Sequence, residues 1–227
     1  MFTKQLFSRR PNLRNREQGR SAFILGNGPS ILLEDLSLLS GQVTIGMNAS
    51  TLLEKKYGFI QSYYCLSDAR FIGHEEKRKY ATTELSSQTV RVVRKDLISH
   101  DNPDLVDGTY YIPHIARDGF SCDLGLGFYY GCTTTMLAVQ LAFYLGCVDI
   151  YLLGVDLRYP VESPRFYKET NPQLEDSFTS VQIWNIANAG KFISTFGGRL
   201  INCSENSLLR PYLPFNRFSD VLRQLES

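Results

Sequence analysis

The sequence predicts an α/β fold in a single domain, with a mainly parallel sheet flanked by helices. Short apolar strands alternate with helical segments along the chain, and polar residues collect where those strands end. The stretch Ala-Phe-Ile-Leu-Gly-Asn-Gly-Pro-Ser at 22–30 runs an apolar strand straight into a glycine-bracketed turn. A chain of 227 residues, 43% hydrophobic and 21% charged, is also long enough for one well-buried core.

The first strand ends at Gly26. Gly26 and Gly28 allow backbone conformations that a side chain forbids and let a ligand approach the main chain. Pro29 stiffens the turn, and Ser30 is placed to cap a helix whose apolar spacing is Ile31, Leu32, Leu36 and Leu39. The amides and positive end of such a helix suit a phosphate, and Asn27 at the tip both donates and accepts hydrogen bonds. The turn is neither the dinucleotide fingerprint nor a P-loop, since no Gly-Lys-Ser/Thr follows. A tight strand-to-helix turn without a ligand is the alternative.

Val43–Met47 reads as the second strand, ending at Asn48, and Gln61–Leu66 as the third, ending at Ser67 and Asp68. In an open parallel sheet these strand ends line one crevice with 26–30. Phe71–Thr83 reads as a polar helix and Thr89–Val93 as a strand. Ile98–Tyr130, interrupted by Pro103, Gly108, Pro113, Gly119, Gly125 and Gly127, lacks periodicity and reads as a lid or as an irregular surface connection. As a lid it brings His114, Arg117 and Asp118 to the crevice, Arg117 to meet the carboxylate of an acidic sugar.

A helix capped by Thr133, with Leu137, Leu141, Tyr144 and Leu145 at helical spacing, stops near Gly146, and the strand Ile150–Leu153 follows. Thr133 and Thr134 repeat the polar helix start of the first unit. Asp156 behind the strand orients a site residue or ligand hydroxyl, or serves the turn after Gly154. Leu174–Phe196 reads as the last long helix, Arg199–Asn202 as the last strand and Arg217–Leu225 as a closing helix.

A formal net charge of +1 argues against a general nucleic-acid binder. No apolar run reaches membrane-spanning length and the N-terminus lacks the apolar core of a secretory signal, so a cytoplasmic location is expected. The five cysteines are scattered without a Cys-x-x-Cys pair and read as reduced, mostly buried thiols; Cys132 is a packing residue or, less well supported, a nucleophile. No His, Cys, Asp or Glu group has metal-ligand spacing, so neither metal nor cofactor is expected. Residues 1–20 carry Lys4, Arg9, Arg10, Arg14, Arg16 and Arg20 against Glu17 alone. They read as a basic arm before a domain at 21–227: a solubilising leader, or a peripheral contact with inner-membrane headgroups or a partner. Self-association stays open.

Gly26-Asn-Gly-Pro-Ser30, Asn48, the 67–71 segment, the 138–156 helix and strand ending Leu-Leu-Gly-Val-Asp, and the 198–204 segment occur in the order and spacing of one group. From Ser21 onwards the chain resembles the motility-accessory-factor and pterin-pyrophosphokinase-like domain family, related in fold to bacterial sialyltransferases that use CMP-sialic acid. The resemblance implies a modified Rossmann fold that binds a nucleotide-sugar donor and a glycan acceptor without a metal. It maps the nucleotide to Gly26, Asn27, Gly28, Pro29, Ser30 and Asn48, with Ser67 or Asp68 and Thr133 or Thr134 beside it.

The sialyltransferase branch carries a histidine base downstream of the Gly-x-Asp strand, with tyrosines assisting the leaving phosphate. Here His74, His100 and His114 all lie upstream, and Tyr159 and Tyr167 are offset from the pattern. The catalytic candidates are therefore Asp156, Tyr159 and His114, with Glu162, Glu169, Glu175 and Asp176 as further bases, and Arg117 and Tyr167 for the sugar or acceptor. A glycosyltransferase-like enzyme of bacterial surface-glycan assembly is the leading expectation. A non-catalytic nucleotide-sugar-binding module and a pterin-type pyrophosphokinase are the alternatives.

Overall fold

The computed structural model describes residues 12–97, 108–169 and 176–225. Among the described residues nine strands occur in chain order: β1 (Ala22–Leu25), β2 (Val43–Met47), β3 (Tyr63–Leu66), β4 (Val90–Arg94), β5 (Thr109–Ile112), β6 (His114–Ile115), β7 (Phe128–Tyr129), β8 (Asp149–Leu153) and β9 (Arg199–Asn202). The α-helices among the described residues are α1 (Thr51–Tyr57), α2 (Ala69–Gly73), α3 (Glu75–Ala81), α4 (Thr134–Tyr144), α5 (Thr179–Ser194) and α6 (Phe218–Leu225). Seven strands form one parallel sheet in the order β5-β4-β3-β2-β1-β8-β9, and β6 pairs with β7 apart from it.

The central strands are apolar along their whole length because both sheet faces are covered. Alternation sends Ala22, Ile24, Ile150 and Leu152 to the layer of α4, and Phe23, Leu25, Tyr151 and Leu153 to the layer of α6. Residues 134–142 of α4 are buried all round, as expected for a helix between a sheet and another helix, here α5. The strand order reverses between β1 and β8, which opens a crevice at their C-terminal ends.

Several expected boundaries shift. The helix expected from Ser30 is instead two short 3₁₀ turns, Pro29–Leu33 and Leu36–Leu39, and Gly28 rather than Ser30 stands at the cap position. The helix expected over 71–83 is two, meeting at His74. Gln61 precedes β3: its backbone amide bonds the Glu54 carboxylate and its side chain accepts from the Ser50 hydroxyl. Part of the stretch read as irregular, Thr109-Tyr-Tyr-Ile, forms edge strand β5; its β-branched and aromatic residues outweigh the glycines and prolines around it. Residues 98–107 and 170–175, which include His100 and Glu175, lie outside the described residues.

Residues 12–20, the second half of the basic arm, dock on the end of α4. Asn15, Glu17 and Gly19 donate backbone hydrogen bonds to the carbonyls of Tyr144, Leu145 and Gly146 at 3.0, 2.8 and 2.9 Å. These carbonyls have no partner within the helix, so the segment completes its C-terminus. Leu13 is buried beneath it.

Burial pushes the thiols of Cys147 and Cys203 up to about 12, and raises those of Cys65 and the phenols of Tyr63 and Tyr64 as well. These groups fold in their neutral forms and ionise first in the unfolded chain, so the unfolded state holds fewer protons at alkaline pH. Stability is therefore full below the ordinary thiol range of about 8.5 and falls as pH rises through 9 to 12. Urea midpoints are expected to be flat between pH 7 and 8 and clearly lower at pH 10. An unchanged midpoint at pH 10 contradicts the assignment.

Candidate nucleotide-sugar site

The crevice is floored by Gly26, Asn27 and Gly28 after β1, Asn48 after β2 and Asp68 after β3. Its far side is the start of α4, Thr133–Thr135, and the turn Gly154–Asp156 after β8. Thus Gly26, Asn27, Gly28, Asn48, Asp68, Thr133, Thr134, Asp156 and Tyr159, which the sequence marked separately, share one cleft.

The two turn glycines serve space rather than backbone freedom. Gly28 is extended, with φ −71° and ψ 151°. A Cβ on Gly26 would stand 2.3 Å from the Gly154 carbonyl oxygen, and one on Gly28 would stand 2.4 Å from a carboxylate oxygen of Asp156. The ends of β1 and β8 are tied this closely by hydrogen bonds from Gly26 N to Leu153 O (2.7 Å) and from Gly28 N to Gly154 O (2.8 Å).

Asp156 is buried, 5% exposed, and its carboxylate accepts from the Ser30 backbone N–H at 3.0 Å and from the Ser30 hydroxyl. The Ser204 hydroxyl lies 3.0 Å from that of Ser30 and accepts from Gly154 N at 3.0 Å. The donor end that the sequence offered to a phosphate thus faces a carboxylate of the protein itself. Ser30 and Pro29 stand behind the cleft wall rather than in it.

Two of the floor residues carry acceptors without partners. The Oδ1 atoms of Asn27 and Asn48 are buried and make no hydrogen bond among the described residues. A buried acceptor left this way costs about 1–3 kcal/mol until a donor arrives. The Asn27 Nδ2 is held by the Met47 carbonyl at 3.4 Å, and the Tyr64 hydroxyl donates to the Asn48 backbone carbonyl at 2.7 Å, so the Asn27 side chain and the Asn48 main chain are fixed from behind. Asn48, Cys132 and Leu157 have φ of 51°, 56° and 53°, and all three border the cleft. Such left-handed conformations strain a side-chain-bearing residue by about 1–3 kcal/mol and concentrate at ligand sites.

Ser67 is fully buried and does not reach the cleft; its hydroxyl lies 2.9 Å from that of Thr134 and holds that side chain in place. Asp68, its neighbour, lines the cleft and receives a forked contact from Arg70 at 3.0 and 2.9 Å. Thr133 caps α4 by accepting from Thr135 N at 3.2 Å.

Part of the segment after β8 also lines the cleft. Phe166 N donates to the Asn27 carbonyl at 3.1 Å, and Tyr159 and Arg165 line the opening with the Arg165 guanidinium 4.5 Å from the Tyr159 ring centre. Of the described part of 98–130, Tyr130 lines the cleft, while Arg117 is exposed elsewhere. His114 stands behind Tyr130, its ring edge-on to the phenol at 6.1 Å and its Nδ1 3.4 Å from Asp96. Tyr167 bonds Glu169 and packs with Phe166 away from the cleft. Glu169 is paired with Lys77 at 2.6 Å, and Glu162 is exposed outside the cleft.

Sequence reasoning assigned no role to Arg70, Arg158, Arg165, Tyr130 or Gln182 in this cleft, although Arg70 sits in the Ser-Asp-Ala-Arg stretch that marks the third strand end. Asp176, one of the further bases, does line it. Its carboxylate accepts from Phe178 N at 2.9 Å and from Gln182 Nε2 at 3.0 Å, and Gln182 Nε2 also lies 3.0 Å from the Cys132 carbonyl.

Burial raises the phenols of Tyr130 and Tyr159 above their ordinary value, so both are donors at neutral pH. Burial, reinforced by the charges of Asp118 and Asp176, also raises the Cys132 thiol. Cys132 is therefore protonated at neutral pH and fits packing rather than nucleophilic attack. Iodoacetamide is expected to label it more slowly than a free thiol at pH 7.5, read by mass spectrometry against exposed Cys122. Among the described residues no three His, Cys, Asp or Glu side chains stand together as a metal site.

The chain is similar to the MAf glycosyltransferase from Magnetospirillum magneticum AMB-1, with a TM-score of 0.63 and 16% identity over 94% of this chain and 36% of that one. It thus spans about a third of that protein's length. It is similar as well to the sialyltransferase CstII from Campylobacter jejuni in complex with a substrate analogue, cytidine-5'-monophosphate, with a TM-score of 0.54 and 16% identity over 87% and 85% of the two chains. A further structure of that sialyltransferase, with trisaccharide acceptor and CMP, matches at a TM-score of 0.51. No protein-family model and no curated protein matches the chain. At this identity the likeness establishes a shared α/β fold.

Proposed function

We propose that the cleft binds a CMP-type sugar donor and that the protein transfers the sugar to a glycan hydroxyl, as a member of the motility-accessory-factor group working in bacterial surface-glycan assembly. The observation that carries this reading is the pair of buried, partnerless acceptors on Asn27 and Asn48, set at the strand-order reversal of a sheet shared with CMP-binding sialyltransferases. An amino or hydroxyl group of the nucleoside satisfies them. The protonated phenols of Tyr159 and Tyr130 supply donors to the leaving phosphate, and Arg165 and Arg158 balance its charge. Asp156 holds the glycine turn through Ser30, whereas Asp176 faces the open cleft and suits deprotonation of the acceptor.

Calorimetry tests the donor site. CMP is expected to bind, and Asn48→Ala to weaken it by about 0.5–1.5 kcal/mol. No binding of CMP, or unchanged affinity in the variant, overturns the site. Activity is expected to survive a chelator, since arginine and phenol donors stand where the phosphate departs; complete loss with rescue by magnesium or manganese revives a pyrophosphokinase.

One observation favours a second reading, a nucleotide-sugar-binding module without turnover: no histidine lines the cleft among the described residues. Slow release of CMP from a CMP-sugar without acceptor indicates the enzyme. Tight binding without release indicates the module.

A further inference from the structure

Outside the cleft, the outer side of α5 carries aromatic residues in the open. Trp184 is 61% exposed on the helix and Phe196, just past its end, is 62% exposed; Asn188 and Phe192 lie between them at four-residue spacing. The buried residues of the same helix are Gln182, Asn185, Ile186, Ala187, Ala189 and Ile193, none of them aromatic. They rest on a stack of rings: Phe192 on Phe120 at 4.8 Å, and Phe196 on Phe192 and Phe143 at 5.1 and 5.4 Å.

The docked basic segment adjoins this ridge. Arg14 and Gln18 line the same surface hollow as Phe143, Tyr144 and Phe196, and the Arg14 guanidinium lies 4.8 Å from the Tyr144 ring centre. Arg14, Arg16 and Arg20 are all exposed, and Lys191 projects from α5 beside Phe192. Of the nearby acids, Asp123 pairs with Arg14 and Glu17 with Arg20 and the Tyr63 hydroxyl, while Asp118 accepts from the neutral Asn185 amide. Arg16 and Lys191 have no ion-pair partner among the described residues.

We propose that this face seats the protein on an anionic lipid bilayer, with Trp184 and Phe196 in the headgroup boundary and Lys191 against a lipid phosphate. Exposed aromatic rings flanked by bases have the composition of an interfacial membrane contact. A second copy of the chain suits the face less well, because a two-fold contact sets a patch against itself and brings unpaired bases together. The inference does not depend on the identity of the donor.

Trp184 is the chain's one tryptophan and therefore reports directly. The full chain is mixed with phosphatidylcholine vesicles, with or without phosphatidylglycerol, and followed by flotation and by Trp fluorescence. Expected results are at least tenfold stronger partition to the anionic vesicles, a blue-shifted emission quenched by brominated lipid, and loss of binding in high salt. Phe196→Ser and Lys191→Glu are each expected to reduce partition severalfold while the thermal midpoint and CMP binding stay unchanged. Flotation without a Trp184 shift places the contact elsewhere and overturns the proposal. So do equal binding to neutral vesicles, no binding at all, or a concentration-dependent dimer that Phe196→Ser dissociates.

Discussion

Gly26→Ala is expected to destabilise the protein by about 1–3 kcal/mol and to abolish nucleotide binding. The added Cβ meets backbone, 2.3 Å from the Gly154 oxygen and 2.6 Å from its carbonyl carbon, so no side-chain rotation relieves it. Either the end of β1 moves away from β8 or the Gly26–Leu153 hydrogen bond of 2.7 Å breaks. Both changes displace Asn27, whose side chain and carbonyl are held by Met47 and Phe166 across the cleft. For a chain of this size the loss corresponds to a fall of roughly 2–4 °C in melting temperature per kcal/mol. Thermal unfolding with CMP calorimetry reads both effects. Wild-type stability together with wild-type CMP affinity would falsify the tight junction at the strand-order reversal.

Asp156 is the second position where a large effect is expected, and two substitutions separate its possible roles. Asp156→Ala removes both bonds to Ser30 and leaves a part-buried N–H without an acceptor, at a cost of about 1–3 kcal/mol. Asp156→Asn keeps a carbonyl oxygen for Ser30 N, while the Ser30 hydroxyl can turn toward Ser204. That variant is expected to stay within about 1 kcal/mol of wild type and to retain turnover, because the charge itself performs no proton transfer. If Asp156→Asn instead keeps stability and CMP affinity but loses turnover a hundredfold or more, Asp156 is the base and Asp176 is not. Asp176→Asn supplies the reciprocal measurement: its kcat is expected to fall with CMP affinity retained.

Much of the scaffold is written locally. The second strand runs over Val43–Met47 as read, and the strands at 150–153 and 199–202 and the helix capped by Thr133 fall within a residue of their expected ends. Each is a continuous apolar run or a capped helical repeat, a pattern that needs no knowledge of the partners. The edge strand Thr109–Ile112 was not legible, because its pairing with β4 is what makes four residues between a glycine and a proline a strand. The 3₁₀ turns after Gly28 hid for a similar reason: the spacing of Ile31, Leu36 and Leu39 suits an α-helix, but the first turn is held by Asp156 from across the sheet.

The candidate site divides along the same line. The sequence alone determined that polar residues would stand at the C-terminal ends of parallel strands, and it thereby placed Asn27, Asn48, Asp68 and Thr133 in one crevice. Only the tertiary structure decided that Ser67 is hidden while Asp68 is open, since successive residues at a strand end point to opposite sides and the position of α4 selects between them. It also decided that Asp156 meets Ser30, 126 residues away in the chain, that Arg165 and Tyr159 close the mouth, and that His114 and Arg117 do not. Local patterns encode where a strand ends; which side chains meet there depends on contacts between segments far apart in sequence, and no local pattern carries them.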